Sequence, residues 1–156
     1  MRVKDVMTRR AETIDPDETL QTAARRMRDL GIGALVVVAG EELAGVITDR
    51  DIVVRSTAAG ADPAWFTVRS AMTPQVIACS EEDDLEAAAR AMEGSAIRRL
   101  VVTGAGGRVA GMLSVDDLVL YSRTAAGAVI QRARSPDVPV HAGPWPWWGD
   151  EAVETR

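Results

Sequence analysis

At 156 residues, 47% apolar and 26% charged, the chain has ordinary globular composition and room for one compact domain or two half-domains sharing a core, but not for a separate catalytic domain. A net charge of −5 with Lys and Arg scattered along the chain argues against a nucleic-acid footprint. The single cysteine, Cys79, excludes an intramolecular disulfide, which together with a start, Met1-Arg2-Val3-Lys4-Asp5, unlike a signal peptide and no apolar run near the ~18 residues of a membrane span leads us to expect a cytoplasmic protein with no membrane partner.

In chain order, Val3-Lys4-Asp5-Val6-Met7-Thr8 leads to an extended stretch over 11–14. Asp15-Pro16-Asp17-Glu18 then reads as a helix start, with an acid at the N-cap, proline at the first helical position and Glu three residues after the cap. Leu20, Ala23, Ala24, Met27 and Leu30 recur at helical spacing and are expected to face a core, with Arg25, Arg26 and Arg28 toward water and Gly31 as the stop. Two short apolar runs, 34–38 and 43–47, flank a glycine-acid turn and predict a hairpin of buried strands. A second helix is expected from Asp49 to about Ser56, and 57–64, with Gly60 and Asp62-Pro63, reads as a connecting loop.

The chain then begins again. Val68-Arg69-Ser70-Ala71-Met72-Thr73 repeats the opening 65 residues on, and the alignment runs without a gap from Val3 to Val38. One extra residue in the turn Gly104-Ala105-Gly106-Gly107 changes the offset to 66, so that Gly45 pairs with Gly111. The second copy repeats the extended stretch (76–79), the helix start (Ser80-Glu81-Glu82-Asp83), the hairpin and a final helix from Val115 to about Arg123. A helix through 125–134 is expected next, before prolines 136, 139, 144 and 146 rule out regular structure. The fold class is therefore α/β (α+β), a βαββα unit written twice, with repeat 1 and its connecting loop over 1–64, repeat 2 over 65–123 and an extension and tail over 124–156.

Several marks occur in both copies: Asp5-Val6-Met7-Thr8 and Ser70-Ala71-Met72-Thr73, the Leu-Val-Val strand, and Gly45-Val46-Ile47-Thr48-Asp49-Arg50-Asp51-Ile52 with Gly111-Met112-Leu113-Ser114-Val115-Asp116-Asp117-Leu118. With these, residues 3 to about 123 resemble a tandem pair of CBS domains, or Bateman module. The stretches 48–53 and 58–63 are similar to short stand-alone CBS-pair proteins, including the hypoxic-response type. The resemblance implies two units packed about a pseudo-two-fold axis, strands against strands. Between them would lie two clefts for adenosine-containing ligands such as AMP, ADP, ATP, NAD or S-adenosylmethionine. No cofactor is required; the implied partners are that ligand, a second copy in a homodimer, and an unidentified protein target.

By that resemblance one cleft combines Ser114 and Asp117 with Arg98 or Arg99 and with Ile32, Gly33, Thr8 and Thr13; it is expected to take a phosphate first, through arginine. The other combines Thr48 and Asp51 with Ile97, Thr73 and Ala78, and is expected to hold a nucleoside or nothing. Thr48 and Ser114, at strand-to-helix junctions, offer backbone N–H groups and a hydroxyl to a phosphate, and Asp51 and Asp117 can accept from a ribose diol. The bland reading stays open: Thr or Ser followed three residues later by Asp is a capping box, and Arg98-Arg99 a solvated pair.

No catalytic constellation is present. The one histidine, His141, lies in the tail far from Cys79, Cys79 aligns with Ile14, and Gly104–Gly107 lacks the Gly-Lys-Ser/Thr ending of a phosphate loop. We expect neither an enzyme nor a metal site. Trp145, Trp147 and Trp148 are expected to pack on their own domain or a partner chain. The alternative to a ligand sensor is a ligand-free dimeric scaffold with degenerate clefts, and a third reading is a redox sensor in which Cys79 bridges two chains.

Overall fold

A computed structural model of the chain describes residues 1–121 and 123–133; the expectations for His141, the prolines and the tail tryptophans fall outside them. In chain order the elements are a 3-10 turn at Val3–Asp5, β1 (Thr8–Arg9), β2 (Thr13–Ile14), α1 (Leu20–Leu30), β3 (Ala34–Ala39), β4 (Glu42–Thr48) and α2 (Asp49–Arg55). After a 3-10 turn at Thr57–Ala59 come α3 (Val68–Ala71), β5 (Ala78–Ser80), α4 (Leu85–Ser95), β6 (Arg99–Thr103), β7 (Val109–Ser114), α5 (Val115–Tyr121) and α6 (Arg123–Ala133). Both βαββα units are present, as β2-α1-β3-β4-α2 and β5-α4-β6-β7-α5.

Each unit pairs its first strand parallel to its second and closes an antiparallel hairpin on that second strand. The β3/β4 register shifts between Val37 and Val38 and the β6/β7 register between Val102 and Thr103, the same place in the repeat. Along β3, Leu35 and Val37 enter the first core beneath α1, and along β6, Leu100 and Val102 enter the second beneath α4. The alternate residues Val36 and Val101 are just as buried yet belong to neither core, as a strand with side chains on two covered faces requires.

The openings change sides. β1 pairs antiparallel with β7, placing Thr8 opposite Met112, and Val3 and Met7 are buried in the second copy's core. Reciprocally, Thr73 bridges to Val46, and Val68, Ala71 and Met72 are buried in the first copy's core. Backbone bonds repeat the exchange: Val3 N–H to the Asp83 carbonyl and Lys4 N–H to that of Glu81, matched by Val68 N–H to Glu18 and Arg69 N–H to Pro16. Even the surface ion pairs match, Lys4 with Glu82 and Arg69 with Asp17.

This exchange corrects the expected helix starts. Asp15 does not cap a helix; its Oδ1 accepts from the Asp17 N–H at 2.8 Å in a tight turn, whose carbonyls at Pro16 and Glu18 receive the other copy's opening. The helix begins at Leu20, with Thr19 Oγ1 accepting from the Thr22 N–H at 3.1 Å. Ser80 likewise opens a turn, and Asp84 is the N-cap of α4. Gly31 does end α1, at φ +65°, whereas Ala96 adopts the same left-handed conformation after α4.

The buried stripe of α1 is also narrower than its periodicity suggests. Leu20, Ala23 and Met27 are buried, but Ala24 and Leu30 are exposed. Their environment differs from that of α4, where Ala88 and Ala89 are both buried, because α6 lies across α4 and α5 and adds Ala126 and Val129 to the second core.

Candidate functional site

A cleft of about 500 Å3 opens between the two sheets, within the size range of small-molecule sites. Its floor includes Val46 from β4 and Val101 and Met112 from β6 and β7. One wall is the β4–α2 junction with Thr48, Asp49, Arg50 and Asp51, and the facing wall comes from the second copy, with Thr73, the stretch 75–77 leading into β5 and the corner from Ala96 to Arg99. The crossed-over segment explains why two halves distant in sequence share one cavity: Thr73 exchanges backbone hydrogen bonds with Val46 at 2.8 and 3.0 Å.

Four residues expected to act together, Thr48, Asp51, Thr73 and Ile97, do line one cleft. Ala78 is not among the lining residues and lies exposed on β5, while its neighbours Val76 and Ile77 take part. Arg98 and Arg99, expected beside Ser114 and Asp117, also line this cleft. By the alternation of β6, Leu100 points into its own core, so Arg99 shares the opposite, inter-sheet face with Val101 and with Ser114, its partner on β7.

Of the residues expected around Ser114 and Asp117, Thr8 stands opposite Met112, two positions along β7 from Ser114. Thr13 is exposed on β2 with its carbonyl taken by Arg26 at 2.8 Å. Ile32 packs against the first core, and Gly33 faces Asp49, whose Oδ2 would lie 3.1 Å from a Cβ added there.

Both Thr/Ser-to-Asp motifs are complete capping boxes. Thr48 donates to Asp51 Oδ2 through its N–H at 2.9 Å and its hydroxyl at 2.7 Å, and Ser114 does the same to Asp117 Oδ2 at 2.8 and 2.7 Å. These N–H groups and hydroxyls are engaged within the protein, while Arg50, Arg98 and Arg99 line the cleft as exposed cations. The two boxes differ beyond the cap. Asp51 Oδ1 lies 3.2 Å from Arg55 Nη1 in a largely buried ion pair, and burial holds that guanidinium below its ordinary value while the Asp51 charge offsets part of the effect. Position 121, which corresponds to Arg55, is a tyrosine. No sequence pattern flagged Arg55, because its partners Ala71 and Thr73 are brought to it only by the exchange of openings.

A family model for the CBS domain matches residues 3–56 and again 68–123. The protein belongs to the CBS-domain family. This CBS pair is 35% identical over 130 residues to the CBS domain-containing protein YhcV of Bacillus subtilis, covering 82% of this chain and 91% of that one. It is 30% identical over 119 residues to hypoxic response protein 1 of Mycobacterium tuberculosis, covering 76% of this chain and 82% of the relative. A crystal structure of hypoxic response protein I with two coordinated zinc ions superposes with a TM-score of 0.70 at 29% identity, over 78% of this chain and 98% of that one. A hexameric CBS-CP12 protein from bloom-forming cyanobacteria gives a TM-score of 0.69 at 30% identity, over 78% of this chain and 71% of that one.

Among the described residues of this CBS pair, no group of three or more His, Cys, Asp or Glu is placed to hold a metal ion. Nor, among them, is any helix long and apolar enough to cross a membrane. Cys79 is 9% exposed and its thiol is pushed up to about 11, first by burial and then by the Asp83 charge. A buried thiol held in its protonated form is a poor nucleophile, which weighs against the redox reading.

Proposed function

We propose that this CBS pair is a non-enzymatic regulatory module that binds an adenine nucleotide, its phosphates held by Arg98 and Arg99 and its ribose offered to Asp51, in the cleft they share with Thr48, Thr73 and Ile97. The observation that carries the reading is charge in a confined space. Arg50, Arg98 and Arg99 line the cleft against Asp49 and Asp51, and Asp51 is already paired with Arg55. The cleft is thus locally cationic on a chain of net charge −5, which favours an anionic ligand through bidentate guanidinium contacts. Adenosine enters from the family resemblance; the charge balance selects among its derivatives. Phosphorylated nucleotides fit, and S-adenosylmethionine, with a sulfonium and an ammonium against one carboxylate, is disfavoured. The second cleft, with Ser114 and Asp117, is offered to a nucleoside moiety.

Self-association accompanies this reading. Val53 and Val54 on α2 and Val119 and Leu120 on α5 are exposed large apolar residues at matching repeat positions, and the hexameric state of the cyanobacterial CBS-CP12 protein supports assembly of copies. The target that would read the bound state is a further protein.

Thermal melting of the full chain with millimolar AMP, ADP, ATP, NAD, NADH and S-adenosylmethionine, paired with sedimentation, tests the proposal. A ligand that binds the native state at about 100 times its Kd stabilises it by about 2.7 kcal/mol. We expect a rise in Tm with the phosphorylated ligands, its loss in Arg98→Ala and Arg99→Ala, and none with S-adenosylmethionine. The complete capping boxes favour one alternative, the ligand-free scaffold, which predicts no shift with any of the six.

A further inference from the structure

Arg55 and Tyr121 are the last residues of α2 and α5, related by the same offset of 66 that relates Thr48 to Ser114. The capping boxes at the N-termini of these helices are duplicated bond for bond. The C-terminal ends are not. Arg55 Nη1 lies 3.2 Å from Asp51 Oδ1, with the two side chains 10% and 14% exposed. The same nitrogen donates to the Ala71 carbonyl at 2.7 Å and to the Thr73 hydroxyl at 3.1 Å. Asp51 belongs to the wall of the cleft built by the first copy; Ala71 and Thr73 belong to the crossed-over segment of the second copy, and Thr73 lines the opposite wall. Arg55 itself is not a lining residue.

We propose that Arg55 is the positioning residue of this cleft, one guanidinium holding the cap carboxylate of one wall and the crossed-over segment of the other in a fixed relation. A planar cation with several N–H donors can serve a carboxylate, a carbonyl and a hydroxyl together, whereas the Tyr121 phenol has one O–H and is 49% exposed. Among the described residues no ion pair reaches Asp117. The two clefts, alike in their caps, therefore differ in what joins their walls: beside Ser114 the ladder of Thr8 with Met112 and Arg9 with Gly111, and beside Thr48 a single Val46–Thr73 bridge reinforced by Arg55. Arg55 thus preorganises the Thr48 cleft where the backbone alone supplies a single bridge, so that it binds with less reorganisation. The inference rests on the cleft being the ligand site, but its first consequence requires no ligand.

That consequence is local protection. In the ligand-free full chain the Val46 and Thr73 amides, which donate to each other's carbonyls, should exchange with solvent about tenfold or more faster in Arg55→Met than in the wild type. The Arg10 amide, donating to Ala110 across the corresponding junction, should be unchanged. Arg55→Lys should restore part of the protection, since an ammonium can still meet Asp51. Equal exchange at Val46 and Thr73 in wild type and Arg55→Met overturns the proposal. Should Arg55→Met fail to fold, Tyr121→Arg decides: a guanidinium four residues after Asp117 should slow exchange of the Arg10 amide, and unchanged rates overturn it. With ATP as probe, Arg55→Met should bind about tenfold or more weakly although Arg55 is outside the lining. Undiminished ATP binding by Arg55→Met overturns the positioning role and leaves the nucleotide reading intact. A wild type that binds no ATP overturns the nucleotide reading, and the exchange rates still decide the role of Arg55.

Discussion

Cys79 stands in the second copy where Ile14 stands in the first, and both side chains are buried beneath their helices. The thiol therefore behaves as a small apolar group. With its pKa pushed up to about 11, only about one molecule in a thousand carries the thiolate at pH 8. A thiol reagent at that pH should leave the native chain unmodified and label one thiol after denaturation; rapid labelling of the native chain would contradict the burial. The sign of the pH effect comes from the direction of the shift. The fold favours the neutral thiol, so its contribution to stability is complete below the ordinary cysteine range and is lost as pH rises through about 9 toward 11. Denaturation at pH 8, 9 and 10 should show the wild type losing stability relative to Cys79→Val, whose side chain does not titrate.

Gly45 and Gly111 sit where each hairpin meets the other copy's opening. A Cβ at Gly45 would lie 2.7 Å from the Thr73 carbonyl oxygen and 3.0 Å from the Met72 sulfur, and at Gly111 it would meet the Thr8 carbonyl more closely still. Because the obstruction is backbone, Gly45→Ala and Gly111→Ala should each lower the unfolding free energy by about 1–3 kcal/mol in urea titrations. Gly94, in α4 with open space around its Cα, should instead gain about 0.5–1 kcal/mol from the same change. An equal effect at all three positions would mean that the crossing is not the constraint. The strands and hairpins were legible in the sequence because their signal, a short apolar run beside a turn, is local. The helix starts were not, since the capping chemistry at Asp15 and Ser80 is real but closes turns whose carbonyls serve a segment some 50 or 80 residues away. The cleft divides in the same way. Thr48, Asp51, Thr73 and Ile97 could be grouped only through the family resemblance, and Arg99 could have been placed by alternation from Leu100, but the pairing of Arg55 with Thr73 depends on a contact that exists only in the assembled fold.

Each hydrophobic core is completed by residues from the other copy's sequence. Val3, written in the first copy, is fully buried with Leu85, Met92 and Leu100 of the second, and Val68, written in the second, is fully buried with Leu20, Leu35 and Ile47 of the first. Neither core can lose its structure without exposing a segment tethered to the other, so the interlocked pair should unfold as one cooperative unit. Val3→Ala and Val68→Ala remove equivalent buried methyl groups from opposite cores, each at a cost of about 2 kcal/mol. In independent half-domains each variant would lower one transition and leave the other in place. Here both should lower a single transition to a similar extent. Hydrogen exchange sharpens the test: in Val3→Ala the amides of β3, in the core that Val3 does not touch, should lose protection together with those of β6. Persistent protection of β3 alone, or a calorimetric enthalpy well above the van't Hoff value, would show that the exchanged openings do not couple the two copies.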